Sequence, residues 1–253
     1  MDKIWKKEPI ISISLDTDWA SEDVLKYTWS LISKYSIKPT FFLTNHSEVL
    51  LDLINIGYID GGIHPNFLSN SSQGGNYLEV IDYCKSILPE SISFRCHRYF
   101  DVNDITEIFI KRGFKYDSNL CTYLQNIEPF VHRSGLIRFP IYFEDGAYLL
   151  HKGNLNFKNS GEGLFCQPGL MVLNFHPMHI VLNSPTFDYM SNIKSKVLRK
   201  EWNNLKYKEF MDLSYKGYGI RNFFLELLDF IKKNGIKTYT LNELYTIFIN
   251  GEK

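Results

Sequence analysis

The sequence predicts an α/β protein whose single domain is a distorted (β/α) barrel of about seven parallel strands with helices outside. Short apolar runs rich in β-branched residues alternate with segments whose apolar residues recur every three or four positions. The length of 253 residues suits one barrel of this kind. No internal repeat or linker divides the chain, so we expect one domain over residues 1–253.

The first strand is predicted over Ile10–Leu15 and leads directly to Asp16 and Asp18. Side chains two residues apart in an extended chain share a face, so both carboxylates enter one pocket if the strand continues to Asp18. Two ionised carboxylates at close range need a cation, a proton or an arginine between them. The alternative is that Asp18 caps a helix that begins near Ala20, with Asp16 solvated in the loop.

Strands and helices then alternate along the chain. From short buried runs we predict further strands over Pro39–Thr44, Tyr58–His64, Ser91–Phe94, Phe114–Asp117, Ile137–Tyr142, Leu170–Phe175 and Thr238–Thr240. From apolar spacing we predict helices over Glu22–Ile32, His46–Ile56, Asn76–Leu88, Val102–Arg112, Ile220–Lys233 and Leu241–Ile249. Gly57, Gly113 and Gly235 stand where three of these helices end.

Two segments lack a clear pattern. Residues 154–169 are predicted to form a polar, glycine-bearing loop, and residues 183–218 an insertion of mixed charge. The insertion contains a basic run, residues 194–200, for which a solvated helical surface is the simplest interpretation. Contact of the basic, aromatic residues 189–218 with a phosphate-bearing sugar carrier is the alternative.

Composition excludes several classes of protein. Lys+Arg and Asp+Glu both number 28, so no overall field favours nucleic acid or an acidic membrane surface. The four cysteines are widely spaced without a Cys-x-x-Cys pair, which argues against a zinc knuckle or a disulfide framework. No apolar stretch approaches the roughly 18 residues that span a bilayer, and the N-terminus lacks an export signal. We therefore expect a cytoplasmic protein without nucleic-acid partners, with peripheral membrane contact left open.

Polar side chains follow four predicted strands at their C-terminal ends. They are Asp16 and Asp18, His64, Arg95 and His97, and His176 and His179. In a parallel barrel these ends converge on the face that carries the active site. Aspartate with histidines suits zinc or a similar divalent ion with one position open for water. A second carboxylate can act as general base and a histidine as general acid, so the pattern predicts hydrolysis.

These residues resemble the motifs of the polysaccharide deacetylases, carbohydrate esterase family 4. The five similar stretches are Ser14–Asp18, Asp60–His64, Phe94–Arg95, Ile137–Ile141 and Val172–His176. The loop over residues 64–74 and the turn at residues 176–179 look like a divergent subgroup found with surface-polysaccharide biosynthesis.

The resemblance implies a role for each matched residue. Asp16 is expected to be the catalytic base and Asp18 and His64 to be metal ligands. Arg95 is expected to orient the base, and His176 to act as the catalytic acid.

The second motif departs from the family pattern. The family usually places another histidine four residues after the first, where this chain has Leu68. The candidates for the missing ligand are His97, Asn66 and His179. We favour His97, because imidazole binds zinc far better than an amide and its strand end adjoins that of His64. Two alternatives stay open: His97 contacts substrate and only two protein ligands exist, or the metal site has been lost.

The resemblance implies a metal-dependent hydrolase that removes an N-acetyl or other N-acyl group from an amino sugar. The expected cofactor is a divalent metal ion, with zinc favoured, and the expected partner is an amino-sugar or sugar-precursor substrate of surface-polysaccharide synthesis. One alternative is a deformylase or a cyclic imide or ureide hydrolase on the same scaffold. Another is a catalytically silent carbohydrate-binding protein. The sequence does not identify the sugar, the acyl group or the oligomeric state.

Overall fold

The computed structural model describes residues 4–251. Within this range the strands are β1 Pro9–Asp16, β2 Thr40–Leu43, β3 Asp60–Ile63, β4 Ser93–Phe94, β5 Tyr116–Asp117, β6 Phe130–Val131, β7 Ile137–Arg138, β8 Ile141–Glu144, β9 Gly169–Phe175 and β10 Lys237–Thr238. The helices are α1 Glu22–Ile32, α2 Glu48–Ile56, α3 Tyr77–Ile87, α4 Asn103–Lys111, α5 Asp145–Leu150, α6 Phe157–Phe165, α7 Pro177–Leu182, α8 Phe187–Lys194, α9 Arg199–Trp202, α10 Tyr207–Leu213, α11 Ile220–Asn234 and α12 Leu241–Gly251.

The strands form one curved, mostly parallel sheet in the order β6-β7-β5-β4-β3-β2-β1-β9-β8, with β10 added beside β1. Only β6 runs antiparallel to its neighbour among the described strands. The free side of β8 receives hydrogen bonds from the segment after β5, where Ile141 pairs with Cys121. The sheet therefore nearly closes on itself, and the predicted distorted barrel is confirmed.

Strand β1 lies at the centre of the sheet and separates two environments. Ile11, Ile13 and Leu15 point towards the surrounding helices and belong to the largest apolar cluster of the fold. Ser14 and Asp16 alternate with them and therefore point into the barrel, where both are buried. The interior is consequently polar at the C-terminal end of β1.

Strand register brings the predicted strand-end residues to one level. Leu15 pairs with Phe175, so Asp16 and His176 follow at the same height. Ile63 pairs with Phe94, which places His64 beside Arg95.

Helix α1 has the bounds predicted from sequence, and its cap is Ser21, whose hydroxyl accepts a hydrogen bond from the Val24 N–H. The alternative in which Asp18 caps this helix is therefore wrong.

Three other regions differ from the sequence prediction. The strand predicted over Ile137–Tyr142 is divided at Phe139–Pro140 into β7 and β8, since proline lacks the N–H that a strand interior needs. Helix α6 lies inside the segment predicted as a loop, and the insertion folds into α8, α9 and α10.

Among residues 4–251, no helix has the length and apolar character to cross a bilayer.

Candidate active site and metal site

Arg95 and Asp16 form the floor of the candidate site. The arginine is fully buried and lies 4.3 Å from the centre of the Phe42 ring. Its five N–H groups are all used, in bonds of 2.7–2.9 Å to the Ser118 carbonyl and hydroxyl, the Ser14 hydroxyl, and the side chains of Asp16 and Asn174. The guanidinium therefore has one position available in the folded protein.

Asp16 receives a second set of contacts from Asn174. The Asn174 amide donates to Asp16 Oδ2 at 2.8 Å while its carbonyl oxygen accepts from Arg95. Burial acts to raise the pKa of Asp16, but the charges of Arg95 and His64 outweigh it and lower this pKa. The floor therefore holds an ionised carboxylate with fixed orientation, 2 % exposed.

Asp18 reaches the same pocket by a turn, because strand β1 ends at Asp16 instead of continuing. Asp18 and Trp19 have left-handed backbones, with φ of 45° and 58°. The Thr44 hydroxyl fixes this turn, since it accepts from the Trp19 N–H at 2.9 Å and lies 2.9 Å from the Thr17 hydroxyl. Strain of this kind is typical of functional sites.

His64 and His97 surround the Asp18 carboxylate. Asp18 Oδ1 lies 2.9 Å from His97 Nδ1 and 3.2 Å from His64 Nε2. Burial acts to raise the pKa of Asp18, but the two histidines hold it well below its ordinary value. The three side chains offer one ligand atom each, all within 4.8 Å of one another.

This donor set fits a divalent metal ion. A tetrahedral zinc ion with bonds of about 2.0–2.1 Å keeps its ligand atoms about 3.3 Å apart, close to the separations around Asp18 Oδ1. One carboxylate and two imidazoles are also the ligand types that zinc binds. His64 Nε2 is the ring nitrogen next to Asp18, whereas His64 Nδ1 is buried without a hydrogen-bond partner among the described residues.

His176 lies close to both Asp16 and Asp18 and is held by Asp145. His176 Nδ1 lies 2.6 Å from Asp145 Oδ1, and the His176 backbone N–H donates to Asp145 Oδ2 at 2.8 Å. Its other nitrogen, Nε2, faces the pocket 3.9 Å from Asp16 Oδ2 and 3.7 Å from Asp18 Oδ2. Burial acts to lower the pKa of His176, but Asp145 outweighs it and raises this pKa well above its ordinary value. The arrangement provides a protonated imidazole next to two carboxylates.

The other two candidate ligands have different partners. His179 belongs to a second group with Asp145 and His176, and its Nδ1 lies 2.9 Å from the Ser184 hydroxyl. Burial lowers the pKa of His179 to about 4, so it is neutral at physiological pH. The side-chain oxygen of Asn66, Oδ1, accepts a hydrogen bond from the Leu68 backbone N–H at 3.1 Å.

Three polar residues of the site are absent from the sequence predictions. Asn174 lies within an apolar strand and resembles a core position. Asp145 and Glu144 follow a strand that was predicted to end at Tyr142. Glu144 caps α5, and its carboxylate lies 3.5 Å from His176 Nδ1. Burial raises the pKa of Glu144 to about 7, although the positive charge of His176 acts to lower it. A correct end for β8 would have revealed both acids by the same strand-end rule.

A cavity of about 630 Å³ opens beside this site. Asp18, Trp19 and His97 line its inner end, and residues of α8 and α9 line its outer side.

The model of the WbmS-like polysaccharide deacetylase family matches residues 13–194, which include every strand-end residue described above. The chain belongs to this family. The resemblance recognised in the sequence motifs is thereby confirmed, and the protein is a member of a deacetylase family of hydrolases. A comparison with curated proteins gives no match.

Solved structures are similar to this chain. A Bordetella bronchiseptica protein assigned as a polysaccharide deacetylase involved in O-antigen biosynthesis is 26% identical, with a TM-score of 0.76 over 87% of this chain and 89% of that one. A 4-alpha-glucanotransferase from Thermococcus litoralis is 10% identical, with a TM-score of 0.54 over 94% of this chain and 38% of that one, and so shares the fold. A family 4 carbohydrate esterase from Bacillus anthracis is 12% identical, with a TM-score of 0.45 over 96% and 84%.

Proposed function

We propose that the protein is a metal-dependent hydrolase that removes an N-acetyl group from an amino sugar, a precursor of a surface polysaccharide. The observation that carries the proposal is that one pocket brings together the carboxylates of Asp16 and Asp18 and three imidazoles. The possible metal ligands are Asp18, His64 and His97, and His176 Nε2 lies 3.9 Å from Asp16 Oδ2 and 3.7 Å from Asp18 Oδ2. Similarity to the Bordetella protein supports the substrate class.

Asp18, His64 and His97 would hold the metal ion. When bound, a divalent ion supplies Lewis-acid chemistry, which polarises the amide carbonyl and stabilises negative charge on its oxygen. The Asp18 carboxylate suits this role because it is ionised and 2.9 Å from its nearest imidazole nitrogen.

Asp16 is the proposed general base. Arg95 and Asn174 hold its two oxygens, so the carboxylate is ionised and does not rotate. Its Oδ2 takes the proton of the water that attacks the amide carbon.

His176 is the proposed general acid. Asp145 binds Nδ1, which leaves the proton on Nε2 available to the pocket. Transfer of this proton to the amide nitrogen allows the carbon–nitrogen bond to break, giving acetate and a free amino sugar. The raised pKa of His176 keeps the donor protonated at neutral pH.

The direct test is to measure acetate and free amine released from a panel of N-acetylated sugars and sugar nucleotides by the zinc-loaded protein. We expect equal amounts of both products, and a loss of roughly 10²–10⁴-fold in rate for Asp16→Asn. The matched control is Asp52→Asn, an exposed aspartate on α2, which should keep the wild-type rate.

Full activity of Asp16→Asn would sink the assignment of the base. Release of formate in place of acetate would identify a deformylase, and sugar binding unaffected by a chelator without hydrolysis would identify a binding protein. The cytoplasmic location remains a prediction, which cell fractionation tests.

A further inference from the structure

The cavity beside the site has two sides of different character. Its inner end carries Asp18 and His97, and its outer side carries Lys194 and Arg199, the last residue of α8 and the first of α9. Arg199 lies outside the residues that match the family model. Lys194 is the last residue of that match.

Lys194 is held in the cavity by packing. Its ammonium lies 5.1 Å from the centre of the ring of Trp202, a side chain that is 3% exposed. Neither Lys194 nor Arg199 forms an ion pair with any acid in the described part of the chain. Both charges therefore remain available to a ligand.

Arg98 adds a third cation beside the metal group. It follows His97 directly and has a left-handed backbone with φ of 56°. Burial is the main influence that lowers the pKa of Lys194, and the charges of Arg98 and Arg199 lower it further while Asp18 raises it. Arg98 therefore adds positive charge near the cavity but does not line it.

We propose that Lys194 and Arg199, together the basic wall, bind a phosphate group that the sugar substrate carries. The inference rests on the proposed function, since it concerns the substrate of the same site. Asp18, the acid in the cavity lining, is already bound to two histidines, so the net charge of the cavity favours an anion. A phosphate ester carries up to about two negative charges, and arginine and lysine are its usual protein ligands.

The chemistry of the wall favours phosphate over a neutral glycan. The amide and aromatic side chains of the same lining, among them Asn66, Asn203 and Trp19, suit a sugar ring, whereas two unpaired cations add little for a neutral sugar. A sugar whose phosphate lies against the basic wall has its ring between the wall and the metal group. The substrate class is therefore a sugar 1-phosphate or a sugar linked to a nucleotide or lipid through a diphosphate.

The test compares N-acetylglucosamine with N-acetylglucosamine 1-phosphate by isothermal titration calorimetry on the zinc-loaded full chain. We expect the phosphorylated sugar to bind at least about tenfold tighter, with the difference shrinking as salt rises. Lys194→Ala/Arg199→Ala should remove the preference. The matched control is Lys196→Ala/Lys200→Ala, which removes two exposed charges from the same segment outside the cavity lining and should retain it.

Equal affinity for the two sugars, or no measurable binding of the phosphorylated one, would overturn the inference. So would a preference that survives in Lys194→Ala/Arg199→Ala, because the phosphate would then bind the metal. If the protein hydrolyses N-acetyl sugars but shows no preference for the phosphorylated one, the phosphate-binding role of the basic wall is rejected and the deacetylase proposal stands. A wall-dependent preference without hydrolysis of any sugar rejects the deacetylase.

The two sources of the phosphate are separated by comparing UDP-N-acetylglucosamine with a prenyl-diphosphate-linked N-acetylglucosamine in detergent micelles. Tighter binding of either one, lost in Lys194→Ala/Arg199→Ala, supports the basic wall and identifies the carrier. Binding of neither contradicts the inference.

Discussion

The floor of the site and its basic wall are built in opposite ways. The floor residues Asp16, Arg95 and Asn174 are at most 2% exposed and are joined by hydrogen bonds that use every N–H of the arginine. The wall residues Lys194 and Arg199 are exposed and have no ionic partner among residues 4–251. Strand ends therefore fix the proposed catalytic groups, whereas the helical insertion carries the charges to which we assign phosphate binding.

The floor should be the most sensitive part of the molecule to loss of a charge. We expect Arg95→Met to lower the free energy of unfolding by about 3–5 kcal/mol, because Asp16 would remain as a buried charge without its partner. Urea unfolding followed by circular dichroism measures the change. The comparison is Arg98→Met, at an exposed arginine three residues away, for which we expect less than about 0.5 kcal/mol. Equal losses for the two variants would contradict the claim that the buried charge of Arg95 holds the floor together.

The buried His179 should make the free energy of unfolding depend on pH. Its pKa in the folded protein is about 4, below the ordinary value of 6.5, because burial disfavours the charged ring. The unfolded chain therefore binds the proton more readily, and the free energy of unfolding falls as pH drops from 6.5 towards 4.

We expect His179→Gln to reduce that fall by about 3 kcal/mol. Unfolding titrations at a series of pH values measure the slope, which is unaffected by any constant loss of packing. His46→Gln, at an exposed histidine, should leave the slope unchanged. A slope that is the same in His179→Gln and wild type would show that this ring is not buried in its neutral form.

A smaller effect is expected where the helical insertion joins the barrel. The Ser21 hydroxyl caps α1 and donates to the Leu205 carbonyl at 2.6 Å, just beyond α9. Ser21→Ala should lower the free energy of unfolding by about 1–2 kcal/mol, because both a cap and a buried hydrogen bond are lost. Thermal melts test this against Ser30→Ala, an exposed serine on the same helix. A difference of zero between the two would mean that the insertion is held by apolar packing alone.

The sequence predicts the floor well and the wall poorly, for physical reasons. Asp16, His64, Arg95 and His176 were found because each follows a buried strand, and in a parallel sheet the positions of strand ends are correlated. Asn174 was missed since a single polar residue in an apolar strand gives no periodic signal.

The sequence pattern also failed to predict helices α6, α8 and α9. Helix α6 contains Gly161 and Gly163, which lower helix propensity and led to the prediction of a loop. Helices α8 and α9 are short and carry mixed charge, so their position over the cavity follows from tertiary packing. The sequence therefore could not predict that Lys194 and Arg199 line the cavity.

The sequence favours His97 as the ligand that replaces the family's missing histidine, and the structure brings His97 to Asp18 and His64. The proposal that Asp18, His64 and His97 form the metal site is the central claim of the account.

Zinc affinity, measured by competition with a chromogenic chelator on the folded protein, tests this claim most directly. We expect one zinc ion per wild-type chain, an affinity at least about 100-fold weaker in His97→Ala, and near wild-type affinity in His179→Ala. Circular dichroism confirms that both variants are folded. Unchanged zinc binding in His97→Ala, or its loss in His179→Ala, would contradict the claim.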